Sequence, residues 1–184
     1  LVTGVKGGCW FSLIDKVHAQ RNLGAAYEKV RANKGAAGVD RQKISAFERH
    51  REANLRGLQE ALRNGTYCPM PVRRVQIPKP GSKETRPLGI PTVRDRVVQT
   101  AVRNVLEPIF EREFAEHSYG FRPGRGCKDA LRRVEGLLTE GYTWVVDADL
   151  KSYFDTIDHE RLMALVERRV TDGKVLKLIR MFLE

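Results

Sequence analysis

The residues best suited to chemistry in this chain follow a β-prone run, Tyr142-Thr143-Trp144-Val145-Val146, which leads into Asp147-Ala148-Asp149. Residues two apart on a strand share a face, so this pattern turns Asp147 and Asp149 the same way. A carboxylate at a strand end suits a hard cation such as Mg²⁺, which takes oxygen ligands. Taken alone, an aspartate there is more often a turn or cap residue, and Phe154 nearby is more often core. A second chemistry is phosphate binding. Between residues 71 and 104 there are eight Lys or Arg against two acids, a local surplus of +6. Lysine supplies a mobile point charge there, and arginine a planar fork that matches phosphate oxygens. A third candidate is the Gly/Pro loop His117-Ser118-Tyr119-Gly120-Phe121-Arg122-Pro123-Gly124-Arg125-Gly126-Cys127. Its guanidiniums suit phosphates and its aromatics suit a base or sugar.

Helices and one hairpin must position these groups. Residues 10–32 keep helical spacing through Phe11, Leu13, Ile14, Val17, Leu23, Tyr27 and Val30. Two glycines in Lys34-Gly35-Ala36-Ala37-Gly38-Val39-Asp40 break the pattern. Residues 45–64 form a second helix, stopped by Asn64-Gly65, with Phe47, Leu55, Leu58 and Leu62 inward. Val72–Ile77 alternates as a strand, Pro80-Gly81 turns, and Arg86–Ile90 returns, which is a hairpin with a basic tip. Residues 92–115 form an apolar-striped helix capped by Thr92, with Pro108 expected either to kink it or to start a new turn. A helix over 127–140 buries Ala130, Leu131, Val134, Leu137 and Leu138 and ends at Gly141. The β-prone run follows, then helices over 158–170, opened near Asp158, and 173–184. The fold class expected is α+β and helix-rich.

Composition narrows the function classes. The chain has 184 residues, 41% hydrophobic and 30% charged, ordinary for a domain with a core. Its net charge of +10 points to a polyanionic partner, most simply nucleic acid. Three scattered cysteines, Cys9, Cys68 and Cys127, have no zinc-ligand spacing and suggest no disulfide framework. No window reaches a transmembrane span, and no signal peptide is evident, so no membrane partner and a cytoplasmic, bacterial setting are expected. The start over residues 1–9 reads as disordered or left over from a preceding segment. The end, inside an amphipathic pattern and without a cap, reads as a piece of a longer protein. Leu176, Ile179, Phe182 and Leu183 would then be left exposed, which suggests a homodimer.

Several phrases together resemble the reverse transcriptases of bacterial group II introns. Asp149-Leu150-Lys151-Ser152-Tyr153-Phe154-Asp155-Thr156-Ile157-Asp158-His159 resembles motif A of the palm, and Gly120-Phe121-Arg122-Pro123-Gly124-Arg125 resembles the second family motif. Arg86-Pro87-Leu88-Gly89-Ile90-Pro91 and Thr92-Val93-Arg94-Asp95-Arg96-Val97-Val98-Gln99 are similar to the group II branch, and the Lys34–Asp40 phrase to its N-terminal extension. The resemblance implies extension helices over 10–70, fingers over 71–140 and a partial palm over 141–184. It implies an RNA-directed DNA polymerase that uses two Mg²⁺ ions for nucleotidyl transfer, with maturase function in the whole protein as a further expectation.

Residue by residue, Asp149 would be a catalytic metal ligand, joined by the Leu150 backbone carbonyl. Phe154 would be the steric gate against a ribose 2′-OH. Lys79, Arg86 and Arg122 would contact the incoming dNTP. Arg73, Arg74 and Arg125 would contact nucleic acid, as would Arg94 and Arg96, unless the last two simply pair with Asp95. The partners implied are an RNA template, its RNA/DNA hybrid, intron RNA and dNTPs. The family's Tyr-x-Asp-Asp pair does not occur in this sequence. One aspartate cannot hold two metal ions, so this chain alone is expected not to polymerise. The rival reading is an RNA-binding, maturase-like module without catalysis.

Overall fold

The computed structural model describes residues 5–6, 8–81, 83–150 and 152–184. The chain divides into two compact units, one of residues 1–106 with 159–184 and the other of residues 107–158.

The first unit is a helical core carrying a hairpin. It opens with two-residue antiparallel strands β1 (Val5–Lys6) and β2 (Cys9–Trp10). The disordered start expected over 1–9 thus gives way, among the described residues, to a small ribbon. Its Trp10 N–H donates to the Arg169 carbonyl at 2.7 Å and the Thr171 N–H donates to the Trp10 carbonyl at 2.7 Å, so the ribbon is pinned by distant backbone.

The helix expected over 10–32 is two, α1 (Ile14–Val17) and α2 (Gln20–Ala32), with Phe11 outside both and exposed. Ala19 at ψ 132° is extended and breaks the run. The helix expected over 45–64 likewise divides at His50 into α3 (Ile44–Arg49) and α4 (Arg51–Asn64). Gly65 closes α4 in the left-handed region at φ 72°, as the Asn-Gly signal implied. Leu23, Ala26, Tyr27 and Val30 of α2 and Leu55, Leu58 and Leu62 of α4 are buried, and the Tyr27 and Phe47 rings stack at 5.2 Å.

β3 (Arg73–Pro78) and β4 (Thr85–Ile90) pair antiparallel from Arg73 opposite Ile90 to Pro78 opposite Thr85. α5 (Val93–Phe110) keeps Pro108 within it and stops five residues short of expectation. Its stripe of Val93, Val97, Val98, Ala101, Val102, Val105 and Ile109 is buried. The unit ends with α8 (His159–Glu167) and α9 (Gly173–Leu183), whose Val175 and Leu178 are buried. Phe182 is half-buried rather than exposed, its ring 6.1 Å from that of Tyr67, and Leu176, Ile179 and Leu183 are half-buried too.

In the second unit, α6 (Cys127–Thr139) and the single turn α7 (Tyr153–Thr156) are the only helices wholly within it among the described residues. α6 ends one residue short of expectation and has no buried residue; Leu131, Val134 and Leu138 are exposed. The strand expected over 142–146 is absent. Residues 142–150 are irregular, with Trp144 96% and Val146 94% exposed. A strand is held by hydrogen bonds to a neighbouring strand, and the described residues pair no strand with this run.

Candidate nucleic-acid interface and catalytic carboxylate

The basic hairpin places its charges by register. Cross-strand partners share a face, so Arg86, opposite Ile77, lies on the face of Arg73, Val75 and Ile77, whereas Arg74 lies on the other. Arg86 and Arg74 are exposed. At the tip, Lys79 donates its backbone N–H to the Glu84 carbonyl at 2.9 Å, and its Nζ to the Glu84 carboxylate at 2.7 Å. The expected triphosphate ligand therefore carries an internal anion in this state. Ser82, in the quoted hairpin, lies outside the described residues.

Arg73 is tied elsewhere. Its Nε donates to the Ala37 carbonyl at 2.9 Å, which joins the hairpin to the loop after α2. There the fold forms an open cavity of about 750 Å³, with Arg31, Lys34, Arg41, Lys43 and Arg73 on its wall and no acid among the lining residues. Sequence reasoning passed over Arg31, Lys34, Arg41 and Lys43 as site residues. The one signal was the loop phrase, whose glycines serve packing. A Cβ on Gly38 would sit 2.7 Å from the Thr92 backbone, and one on Gly35 2.8 Å from Arg96. Lys34 and Arg41 adopt the left-handed region, at φ 56° and 57°.

Arg94 and Arg96 do not pair with Asp95. Asp95 is buried and accepts from the Tyr67 hydroxyl at 2.7 Å, the Thr92 hydroxyl at 2.6 Å and the Met70 N–H at 3.1 Å. Thr92 Oγ1 in turn accepts from the Asp95 N–H at 3.1 Å, the cap expected of it. Burial pushes the Tyr67 phenol far up, and the Asp95 carboxylate adds to the shift. Arg94 lies over the Tyr67 ring at 5.2 Å. Arg96 donates to the carbonyls of Lys34, at 3.2 Å, and Ala36, at 2.9 Å, and burial lowers its pKa. Arg96 is thus committed to shaping the basic cavity.

The loop after α5 is organised around Arg122, whose side chain is 6% exposed. Nε donates to the two Glu111 carboxylate oxygens at 3.0 and 3.2 Å. Nη1 donates to the carbonyls of Ala115 at 2.8 Å and Ser118 at 3.0 Å. Nη2 donates to the Glu111 carboxylate at 2.7 Å and the Glu111 carbonyl at 3.3 Å. The hydrogen bond from Arg122 holds the Glu111 carboxyl below the usual range. Arg125 donates to the Glu116 carbonyl. Phe121, one of the aromatics of this loop, is 93% exposed.

Asp149 and the Leu150 carbonyl lie on the irregular, exposed segment; Lys151, of the quoted motif, lies outside the described residues. Phe154 follows on α7, 83% exposed and edge-on to Tyr153 at 5.5 Å, after Ser152 in the left-handed region. Asp149 and Leu150 offer hard oxygen donors of the kind Mg²⁺ takes. No group of three or more potential ligands occurs among the described residues, so the donors present are too few to hold two ions.

Comparison with known proteins agrees with the motifs. The family described as "Reverse transcriptase (RNA-dependent DNA polymerase)" matches residues 77–183. The chain is 41% identical to the group II intron-encoded protein LtrA of Lactococcus lactis subsp. cremoris over 161 residues, which cover 86% of this chain and 26% of that protein. It is 44% identical to protein YkfC of Escherichia coli (strain K12) over 154 residues, 80% of this chain and 40% of that one. It is 37% identical to nuclear intron maturase 1, mitochondrial, of Arabidopsis thaliana over 89 residues, 48% of this chain and 12% of the relative. The chain therefore spans well under half the length of these relatives. With the tip and second strand of the hairpin, the arginine loop and the Asp149 segment inside the matched region, the chain belongs to the reverse transcriptase family, in its group II intron-type branch.

Proposed function

We propose that this chain is the template- and nucleotide-binding front of an RNA-directed DNA polymerase, with extension helices over 10–70, fingers over 71–140 and the opening of the palm over 141–184. The observation that carries RNA binding is the basic cavity, whose lining has five cations from two stretches far apart in sequence and no acid; of these, Arg31 also pairs with Glu28 at 2.7 Å. Phosphate oxygens are the natural complement of such a wall. The hairpin supplies Lys79 and Arg86 to a triphosphate, Arg74 faces RNA backbone, and Phe154 bars a 2′-OH. Asp149, with the Leu150 carbonyl, supplies part of a Mg²⁺ site that carboxylates from elsewhere in the whole protein complete.

Binding of a labelled single-stranded RNA to the purified chain, titrated in salt, tests this. Each of Arg41→Ala and Lys43→Ala lowers affinity and reduces the salt slope by about 1, because each removes one phosphate contact. A flat salt dependence, or slopes unmoved by either change, sinks the reading. Asp149→Ala leaves RNA binding intact and abolishes extension by the whole enzyme. The 184-residue chain itself yields no EDTA-sensitive primer extension. The exposed, sparsely liganded Asp149 also favours a second reading, an RNA-binding maturase-like module without catalysis. Absence of EDTA-sensitive extension by the whole parent protein, with salt-sensitive RNA binding that survives Asp149→Ala, would point that way.

A further inference from the structure

A guanidinium has five N–H donors in a fixed fork. In Arg122 all five are committed inside one loop, to Glu111, Ala115 and Ser118, and the Phe114 ring lies 5.4 Å from the guanidinium carbon. To reach a nucleotide, Arg122 would have to break these bonds and leave the Ala115 and Ser118 carbonyls without it. The residue before it is its opposite. Phe121 makes no such commitment: its ring is 93% exposed, on backbone at φ 56°, which a bulky residue rarely adopts. Such strained positions persist only where their surroundings over-determine them, and the Arg122 fork is the surrounding structure that does so.

We propose that Arg122 is a positioning residue, which through Glu111 holds the loop so that the Phe121 ring stacks on a base of single-stranded RNA. The chemistry around the ring favours a nucleobase over an apolar protein surface. Its neighbours Gly120, Pro123, Gly124 and Arg125 form no greasy patch, whereas the guanidinium of Arg125 lies on the same loop. An aromatic ring beside positive charge is how single strands are held without regard to sequence, since every base has a π-face. This rests on the RNA-binding reading above and adds to it which group meets the base.

The test is fluorescence anisotropy of the full chain with a labelled single-stranded RNA of mixed sequence. Phe121→Ala weakens binding roughly tenfold with no change in salt slope, as loss of one stacked base would. Phe121→Leu, apolar but without a ring, behaves like Phe121→Ala. Phe121→Trp keeps the affinity and adds an indole emission that RNA quenches, measured against the parent chain, which has Trp10 and Trp144. Glu111→Gln and Arg122→Lys weaken binding as Phe121→Ala does, and adding Phe121→Ala to either costs nothing further. Glu111→Gln keeps the size of the side chain and serves as the variant that folds should changes at Arg122 not. No RNA binding by the parent chain sinks the RNA-binding reading itself. Salt-sensitive binding that Phe121→Ala leaves untouched sinks only the stacking proposal. A salt slope that falls by about 1 in Arg122→Ala, with Glu111→Gln silent, shows Arg122 on a phosphate and overturns its positioning role. Full affinity in Phe121→Leu shows that RNA binding does not need the aromatic ring, and overturns the stacking.

Discussion

At the scale of single residues, two titrations report on how the chain is held. Glu111 has a carboxyl depressed by the hydrogen bond from Arg122. A depressed carboxylate stabilises the fold fully above its ordinary value of 4.5, and the contribution is lost as pH falls through the lower folded value. The denaturant midpoint of the parent chain therefore exceeds that of Glu111→Gln at neutral pH, and the gap narrows on acidification. A gap that does not change with pH would remove the charge-assisted role. Tyr67 has the opposite sign. Its phenol is pushed up by burial and by Asp95, so its contribution is complete below 10.0 and is lost as pH rises beyond it. Tyr67→Phe leaves Asp95 with Thr92 and Met70 and costs about 1 kcal/mol, the net worth of one such hydrogen bond. It also weakens the alkaline step of unfolding, followed by circular dichroism.

At the scale of elements, one carboxylate ties together parts of the chain that are far apart in sequence. Asp172 is buried, and its two oxygens divide between two helices. Oδ2 accepts from the N–H groups of Leu13, at 2.7 Å, and Ile14, at 2.9 Å, at the start of α1. Oδ1 accepts from those of Lys174, at 3.0 Å, and Val175, at 3.2 Å, at the start of α9. Asp172→Ala uncaps both helices and costs about 2 kcal/mol, whereas Asp172→Asn, which keeps one acceptor oxygen, costs about half as much. A urea midpoint unchanged in Asp172→Ala would refute this. Gly38 sets a tolerance of another kind. A Cβ added there would meet the Thr92 backbone at 2.7 Å, which cannot swing away as a side chain can. Gly38→Ala therefore destabilises the chain by about 1 to 3 kcal/mol and loosens the basic cavity, lowering both the melting temperature and RNA affinity.

At the scale of the whole molecule, the first unit buries apolar residues on α1 to α5, α8 and α9, whereas in the second α6 and the segment after it leave theirs open. α6 has the spacing of a core helix, yet Leu131, Val134 and Leu138 are exposed, as are Trp144 and Val146. Exposed apolar surface of this extent drives association. We propose homodimer formation through this unit rather than through α9, whose apolar face is half-buried. Sedimentation at micromolar concentration should then give a mass above that of the monomer, falling to the monomer in Trp144→Ser/Val146→Ser. A monomeric parent chain would end the idea.

The sequence by itself determined what depends on neighbours along the chain. The Asn-Gly stop of α4, the Thr92 cap, the hairpin register and the buried stripe of α5 are local in origin, set by backbone preference and by side-chain period. The motifs that name the family are local too. Tertiary structure decided everything that needs a distant partner. The run over 142–146 has the composition of a strand, but strands exist only in pairs. Arg73 and Arg122 read as free cations in the sequence, and Arg96 as either a phosphate contact or a partner of Asp95; backbone carbonyls, with Glu111 for Arg122, claim their donors once the chain folds. The wall of the basic cavity needed residues 31–45 beside residue 73, and no spacing rule reports that. The double cap at Asp172 joins residues 159 positions apart, because a buried carboxylate must find N–H donors wherever the fold supplies them.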